Sequence, residues 1–200
     1  MEQIRSFIAI ELPDDLKLGL AQLQARLKLS QQPWVKPVEP HNIHLTLKFL
    51  GNIEENRISA ITKGIATAVR GISPFHLEVK ELGAFPNLKR VQVVWVGISG
   101  EIDKLVQLQQ RIESNIAPLG FPSEARSFTP HLTIARLRNQ ATLDERQRLG
   151  QLIAATKFEV AYTIEVETIH LMRSQLTREG PIYSRIGSVG LDKPLPTAST

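Results

Sequence analysis

The hydrophobic positions in the first part of the chain switch between the period of a strand and the period of a helix. Residues 4–12, IRSFIAIEL, are β-branched and aromatic enough for a strand, and Pro13 with two following aspartates starts a helix. Leucines at positions 16, 20, 23 and 27 keep the helical period to about residue 29. The pattern predicts strand, helix, strand, helix, strand over residues 4–12, 14–29, 43–50, 54–69 and 75–82.

The same succession of elements returns in the second part of the chain. VQVVWVGI at 91–98 is typical of a strand, and Gly100 and Glu101 lead into a helix with apolar residues at 105, 108, 112 and 116. The elements that follow are a strand at 131–137, a helix at 143–155, and strands at about 157–172 and 181–187.

The two parts correspond at a fixed spacing. Sliding the chain by 87 positions lays residues 5–10 on 92–97 and residues 44–47 on 131–134. A unit of this length that occurs only twice is not a solenoid repeat. It predicts two similar lobes, each a small sheet with helices packed on one face, and a cleft between them.

No linker rich in glycine or serine separates the two parts, so they are expected to form one body. We predict one bilobal domain over residues 1–188, with repeats of about 4–87 and 91–187. Residues 189–200 contain two prolines and few apolar side chains, and they are predicted to form a flexible tail.

A histidine–x–threonine motif stands at corresponding positions of the two repeats, in HLTLKF and in HLTIAR. Side chains alternate along a strand, so His44 and Thr46 share the face turned away from the core, as do His131 and Thr133. Random placement gives roughly 0.3 such triplets in this chain, so one motif alone would carry little weight. Two in register predict that two histidines and two threonines line one cleft.

This set of side chains suits displacement at phosphorus. An imidazole titrates near neutral pH, so one ring can accept a proton from the attacking oxygen while a second, protonated ring donates one to the leaving oxygen. In-line displacement places these two oxygens on opposite sides of the phosphorus, as two facing strands would. The threonine hydroxyls can donate hydrogen bonds to the non-bridging oxygens.

The amino-acid composition excludes several kinds of site and indicates the kind of partner. The chain has no cysteine, which excludes disulfides, thiolate metal sites and a cysteine nucleophile. A net charge of +4 mildly favours a polyanionic partner. No apolar stretch is long enough to span a bilayer, and residues 1–12 lack the features of a signal peptide, so we expect no membrane contact and a cytoplasmic location.

Other catalytic classes find less support in the sequence. HExxH, GxSxG, GxGxxG and P-loop motifs are absent. A zinc site would need a third ligand, and neither motif has one at ligand spacing, so no metal is expected. The other histidines are expected outside the site: His41 in a loop, and His76 and His170 at surface or core positions.

The motifs and their flanking residues resemble a known family. The segments that carry the resemblance are VEPHNIHLTLKFLGNI, LGAFPN, APLGF, FTPHLTIARL and GPIY, and they lie between residues 4 and 187. They are similar to the 2H phosphoesterase superfamily, and within it to the RNA 2′,3′-cyclic phosphodiesterases, also called 2′-5′ RNA ligases.

This resemblance implies a bilobal α+β fold with two similar lobes of antiparallel sheet, helices on the outer faces and a central cleft. It implies hydrolysis of an RNA 2′,3′-cyclic phosphate to a 2′-phosphomonoester without metal or cofactor. His44 would give the proton to the departing 3′ oxygen, and His131 would activate water; the residues alone leave this order open. The alternatives are a related enzyme acting on small cyclic nucleotides or 2′-5′ linkages, reversible 2′-5′ ligation, and a non-catalytic basic RNA-binding module.

Two basic residues are further candidates for substrate binding. Lys48 has the strand parity of His44. Arg136 matches an arginine that often follows the second motif in the family that the chain resembles; it has the opposite parity to His131, and a bulge or the end of the strand could redirect it. The aromatic residues that could stack a terminal base are Phe7, Phe49, Phe128 and Tyr183, most of which are expected in the core. The expected partners are RNA ends or small cyclic nucleotides, no obligate protein partner is evident, and a monomer is predicted.

Overall fold

The computed structural model describes residues 3–158, 162–178 and 180–192. Within these ranges the chain forms nine strands and four α-helices. The strands are β1 (Gln3–Glu11), β2 (Val35–Pro37), β3 (His44–Glu54), β4 (Phe75–Phe85), β5 (Val93–Gly100), β6 (His131–Leu137), β7 (Tyr162–Val166), β8 (Thr168–Leu176) and β9 (Pro181–Gly190). The helices are α1 (Asp14–Arg26), α2 (Ile58–Val69), α3 (Ile102–Ile116) and α4 (Leu143–Ala155).

Local sequence explains where several elements begin and end. Helix α4 starts in a capping box, in which the Thr142 side chain accepts a hydrogen bond from the backbone N–H of Glu145 and the Glu145 carboxylate accepts one from that of Thr142. Helix α1 opens with two acidic residues, Asp14 and Asp15, which complement the positive end of the helix dipole. It ends at Arg26, three residues before the predicted end, because Lys28 adopts a left-handed conformation with φ 49°.

The strands form two antiparallel sheets, which confirms the predicted α+β class. The first sheet has the order β3-β1-β8-β9, and the second has the order β2-β6-β5-β4-β7. Every strand pair in both sheets is antiparallel.

The two sequence repeats do not coincide with the two sheets. Strand β4 belongs to the first repeat but pairs with β5 of the second, and β8 belongs to the second repeat but pairs with β1 of the first. The order β3-β1-β8-β9 thus matches β6-β5-β4-β7 position by position, with β8 of the second repeat in the first sheet where β4 of the first repeat stands in the second. The expectation that residues 4–87 and 91–187 form separate lobes is therefore wrong.

The first helix of each repeat also packs on the sheet that contains the motif strand of the other repeat. Helix α1 follows β1 of the first sheet but reaches the second sheet, where Gly19 lies so close to Tyr162 that an added Cβ would stand 2.2 Å from its hydroxyl. Helix α3 follows β5 of the second sheet but packs against β3 and α2 on the first. Most of the buried apolar side chains of both sheets consequently form one continuous core.

A β-bulge interrupts each motif strand directly after the threonine. Opposite β1, Ala9 pairs with Thr46 and Ile8 pairs with Lys48, so Leu47 is the extra residue. Opposite β5, Trp95 pairs with Thr133 and Val94 pairs with Ala135, so Ile134 is the extra residue. At both bulges two successive residues are buried, and the side chains that directly follow change face. In β3 a second register shift lies between Phe49 and Gly51.

A buried glutamine from the exchanged helix binds the carbonyl of each bulge residue. The Gln24 amide on α1 donates to the Ile134 carbonyl at 2.8 Å and to the Val38 carbonyl at 2.7 Å. The Gln109 amide on α3 donates to the Leu47 carbonyl over a longer distance of 3.5 Å. These contacts supply buried donors to main-chain carbonyls that lie where the ladder is disrupted.

Residues 189–192, predicted as the start of a flexible tail, belong to the folded chain. Strand β9 extends to Gly190, Leu191 is 6% exposed, and the backbone N–H of Asp192 donates to the Ile72 carbonyl at 3.1 Å. The prediction of a tail from residue 189 is wrong for residues 189–192, and its remainder lies outside the described residues.

We expect Gln24→Leu to lower the free energy of unfolding by about 2 kcal/mol, because the partly buried Val38 carbonyl loses this donor and the buried Ile134 carbonyl keeps only the backbone N–H of Val38. Chemical denaturation measures this change. Gln22→Leu is the matched control, since Gln22 is exposed on the same helix. Equal stability of the two variants would contradict the structural role of the Gln24 amide.

Candidate active site

Both motifs line one cavity between the sheets. The cavity has a volume of about 450 Å³. Its walls include both motif histidines, both motif threonines, two arginines and three aromatic side chains: His44, Thr46, His131, Thr133, Arg5, Arg136, Phe7, Phe49 and Tyr183. The structure thus brings together the two histidines and two threonines that the alternation rule placed on the cleft faces.

The two imidazoles are held by equivalent hydrogen bonds. Nδ1 of His44 lies 2.8 Å from the carbonyl oxygen of Asn42, and Nδ1 of His131 lies 2.7 Å from that of Thr129. A carbonyl only accepts, so each Nδ1 carries the proton. Each neutral ring therefore presents the lone pair of Nε2, the nitrogen that can exchange a proton with a ligand.

Asn42 holds the start of β9 as well as the imidazole of His44. Its side chain is buried, and the Nδ2 amide donates to the Pro181 carbonyl at 2.8 Å. The residue therefore joins the start of β9 to the segment before β3. Since its own carbonyl orients His44, the position of this ring is coupled to the end of the sheet that carries Tyr183.

The two rings differ in their surroundings. His44 stacks on Phe7 with ring centroids 4.5 Å apart and meets the edge of Tyr183 at 5.2 Å. His131 makes one edge contact, with Phe85 at 4.9 Å. The first imidazole is therefore the more enclosed of the pair.

Burial lowers the pKa of His44 below its ordinary value of 6.5. The hydrogen bond to the Asn42 carbonyl and the negative charge of Glu11 act in the opposite direction, whereas the positive charge of Arg136 lowers this pKa further. Burial also raises the pKa of Tyr183, against the effect of Arg136 and Arg5. In the free protein His44 is consequently biased toward its neutral form, and the Tyr183 hydroxyl keeps its proton.

Arg136 faces the cleft because of the bulge at Ile134. Simple alternation would have placed its side chain on the core face, but the extra residue restores it to the face of His131 and Thr133. It lies close enough to act on His44 and Tyr183 across the cavity. A bulge of the kind that could redirect Arg136 is therefore present in β6.

The prediction that Lys48 lies on the same face of the strand as His44 is wrong. The bulge at Leu47 turns this side chain to the core face, where it is 3% exposed and its ammonium group lies 2.5 Å from the Glu113 carboxylate. It also donates to the Pro122 carbonyl at 2.9 Å. Lys48 therefore anchors helix α3 and the segment before β6 and does not line the cavity that both histidines share.

The same bulge carries Phe49 into the cleft. Phe49 is 67% exposed, and its ring lies 6.2 Å from that of Phe7. With Phe7 and Tyr183 it lines the shared cavity, so the expectation that most of these aromatic residues belong to the core does not hold for this group. Phe7 is buried, but in a separate small cluster on the cleft face of the first sheet.

Sequence analysis missed several residues of this cavity. Arg5 precedes Phe7 by two positions on β1, so its parity with Phe7 could have placed it there. Ser174, Leu176 and Pro181 come from β8 and β9, and only the pairing of these strands with β1 brings them to the site. No local pattern encodes that pairing.

The other three histidines do not line the cavity. His76 is exposed beside Glu101 and Glu165, and His41 is exposed in a short 3₁₀ turn. His170 is nearly buried, with its Nδ1 2.9 Å from the Ser188 hydroxyl and its Nε2 3.6 Å from the Glu11 carboxylate.

Among the described residues, no group of three or more histidine, aspartate or glutamate side chains is arranged to hold a metal ion. No helix in this part of the chain is long and apolar enough to cross a bilayer.

Comparison with known proteins agrees with this geometry. The family model described as the 2′-5′ RNA ligase superfamily matches residues 12–178. This chain belongs to that superfamily. An RNA 2′,3′-cyclic phosphodiesterase from Methanothermobacter thermautotrophicus is 33% identical over 91% of this chain and 96% of its own length.

Solved structures share the fold of this superfamily member. A crystal structure of a Thermus thermophilus protein has a TM-score of 0.76 at 26% identity, covering 95% of this chain and 99% of that one. The crystal structure of E. coli LigT complexed with 3′-AMP has a TM-score of 0.75 at 24% identity, covering 96% of this chain and 100% of that one. These structures confirm the fold, and the family model and the relatives confirm the resemblance to the 2H phosphoesterases.

In the free protein we expect His44 to titrate below 6.5, the ordinary value for an imidazole. Arg136→Gln should raise this pKa because it removes a positive charge, and Glu11→Gln should lower it because it removes a negative one. An NMR titration of the histidine ring signals measures both shifts. Arg148→Gln removes the same charge from an exposed position on α4 and should leave His44 unchanged; shifts of the same sign in the Glu11 and Arg136 variants would contradict this account.

Proposed function

We propose that this chain is an RNA 2′,3′-cyclic phosphodiesterase that produces 2′-phosphomonoester ends by a two-histidine mechanism without a metal ion. The observation that carries the proposal is the equivalent pair of imidazoles, each held through Nδ1 and each presenting Nε2, on the wall of one cavity. The names of the relatives support the same activity and substrate.

The chemistry requires one neutral ring and one charged ring. The neutral imidazole accepts a proton from water at Nε2 while the water oxygen attacks the phosphorus, and the bond from phosphorus to the 3′ oxygen breaks. The imidazolium donates its Nε2 proton to that departing oxygen, which leaves the phosphate on the 2′ oxygen. Water is added across one phosphoester bond, and the protons balance.

We assign the donor role to His44 and the acceptor role to His131, as the resemblance implies. The lowered pKa of His44 in the free protein opposes this order, because it favours the neutral ring. A bound phosphodiester places a negative charge beside the imidazole, and such a charge raises the pKa of the ring. Substrate binding would thus charge the donor where the proton is needed.

The remaining side chains of the cavity would bind the phosphate and the nucleoside. The hydroxyls of Thr46 and Thr133 can donate to the non-bridging oxygens, and Arg136 adds a positive charge to the same wall. Phe49 and Tyr183 offer aromatic surface for a base next to this group. Lys48 has no such role, since its ammonium group is bound by Glu113 and the Pro122 carbonyl.

A short RNA with a 2′,3′-cyclic phosphate end tests the proposal. We expect hydrolysis that persists in EDTA and that falls by about 10² to 10⁴-fold in both His44→Ala and His131→Ala, the range for loss of a general acid or base. His76→Ala replaces an exposed histidine outside the cavity and serves as the matched control. Loss of turnover in EDTA would indicate a metal, and RNA binding without turnover would indicate a binding module instead.

The threonines are expected to act on the transition state. Thr46→Val and Thr133→Val keep the volume of each side chain but remove the hydroxyl, so kcat should fall by about 10-fold to 10³-fold with a smaller change in KM. Steady-state kinetics on the same RNA measure this. A rise in KM with an unchanged kcat would mean that the hydroxyls bind only the ground state.

Small cyclic nucleotides and 2′-5′ linkages remain the alternative substrates for the same side chains. Comparing kcat/KM on 2′,3′-cyclic AMP with that on the RNA end separates an enzyme of RNA ends from one of small nucleotides. The cytoplasmic location and the monomeric state expected from the sequence stay predictions.

A further inference from the structure

The two motif histidines have different partners on the neighbouring strand. In the ladder between β1 and β3, Glu11 stands directly opposite His44, and in the ladder between β5 and β6, Gly97 stands directly opposite His131. Directly opposite residues of an antiparallel pair share one face of the sheet, with Cβ atoms about 4.5–5.5 Å apart. A carboxylate therefore lies beside the first imidazole, whereas a glycine without a side chain lies beside the second.

Contacts from two further strands hold the Glu11 carboxylate in place. From β9, the Nε and Nη2 atoms of Arg185 both lie 2.5 Å from its Oε2 atom. From β8, Nε2 of His170 lies 3.6 Å from the same oxygen, and Nδ1 of this ring lies 2.9 Å from the Ser188 hydroxyl. The strand order β3-β1-β8-β9 places the carboxylate between the His44 ring and the guanidinium group, so the negative charge is the nearer one to the ring.

Glu11 acts through His44 and not on a ligand. It is not among the described residues that line the cavity shared by both motif histidines, and its Oε2 atom is bound by Arg185. Its negative charge nevertheless reaches the His44 ring, where it raises the pKa. Glu11 can therefore influence proton transfer at His44 without touching the reacting atoms.

The other charged and titratable groups near His44 come from four strands. Arg136 on β6 lowers the pKa of His44, in opposition to Glu11. Burial raises the pKa of Tyr183 on β9 and lowers the pKa of His170 on β8, so both of these groups are biased toward their neutral forms. The groups that share the cavity with His44 are Arg5, His131, Arg136 and Tyr183.

The carboxylates near His131 are placed differently. Glu113 and Glu124 line an adjoining cavity that this histidine also borders. Glu113 is engaged by the ammonium group of Lys48 on the core face of β3, and Glu124 is exposed on the segment before β6. Neither of them occupies the cross-strand position that Glu11 has beside the first motif histidine.

We propose that Glu11 is a positioning residue for the general acid: its carboxylate, oriented by Arg185, stabilises the charged form of His44 and thereby gives this ring the donor role. The assignment rests on the proposed function, because it concerns proton transfer during hydrolysis of a cyclic phosphate. The donor must hold a proton before the 3′ oxygen leaves, and the acceptor must be free of one before water attacks. A fixed carboxylate beside one ring and a glycine beside the other supplies this difference, and the proton still moves from Nε2 of His44 to the 3′ oxygen.

The pH dependence of kcat on a short RNA with a 2′,3′-cyclic phosphate end tests this role. Loss of the donor's proton produces the alkaline limb of the profile, and protonation of the acceptor produces the acid limb. Glu11→Gln removes the negative charge, so His44 should lose its proton at lower pH and the alkaline limb should move to lower pH. We expect kcat on that limb to fall by about threefold to tenfold, with the acid limb unchanged.

Arg185→Gln should have the opposite effect. It removes the positive charge beside Glu11, so the imidazolium of His44 should be more stable and the alkaline limb should move to higher pH. Both substitutions break one ion pair, so a purely structural role would change kcat in the same direction and move neither limb. Limbs that stay in place, alkaline limbs that move in the same direction, or an acid limb that moves in Glu11→Gln would overturn the proposal.

Matched variants control for the change in net charge. Glu78→Gln and Arg148→Gln remove the same charges from exposed positions on β4 and α4, and they should move neither limb. Arg185 is exposed, so its variant should fold and keep the proposal testable even if Glu11→Gln does not fold.

An NMR titration of the free protein distinguishes the failure of this proposal from failure of the proposed function, because it needs no turnover. Arg185→Gln should raise the pKa of His44, and Arg148→Gln should leave it unchanged. If the wild-type chain hydrolyses no cyclic phosphate, the proposed function fails, and the titration still decides whether the Glu11–Arg185 pair acts on His44. If cyclic phosphates are hydrolysed while neither variant moves the alkaline limb, the role of Glu11 is refuted and the proposed function stands.

Discussion

One extra residue in each motif strand determines which side chains meet in the cleft. A strand that followed strict alternation would present its side chains to the cleft at every second position. The bulges at Leu47 and Ile134 break this rule immediately after the threonines, so the histidine and threonine keep one parity and the following residues take the other. Arg136 and Phe49 join the cleft as a result, and Lys48 leaves it.

The part of the site that obeys local rules could be predicted from the sequence. His44, Thr46, His131 and Thr133 lie before the bulges, where alternation and the spacing of the repeats suffice. The prediction failed for Lys48 because a buried lysine reads in a sequence like an exposed one, and its partner Glu113 is 65 residues away. A bulge depends on the register of two strands, which no single strand encodes.

The exchange of elements between the repeats was likewise beyond sequence reasoning. The doubled pattern fixed the order of strands and helices along the chain but not which strands pair, and β4 and β8 cross to the opposite sheet. Antiparallel partners far apart in sequence are selected by the global packing of apolar faces. The repeat therefore predicted the local elements and their symmetry and misplaced the boundary between the lobes.

This exchange has a mechanical consequence for catalysis. The first motif strand lies in a sheet with β8 and β9 of the second repeat, and the second motif strand lies in a sheet with β4 of the first. Helices α1 and α3 cross in the same manner, and Gln24 on α1 binds the bulge carbonyl of the opposite motif. Separating the two histidines would disrupt a continuous core, so folding itself fixes their relation. A phosphate then meets an acid and a base that are already in position, and little reorganisation remains for the reaction to supply.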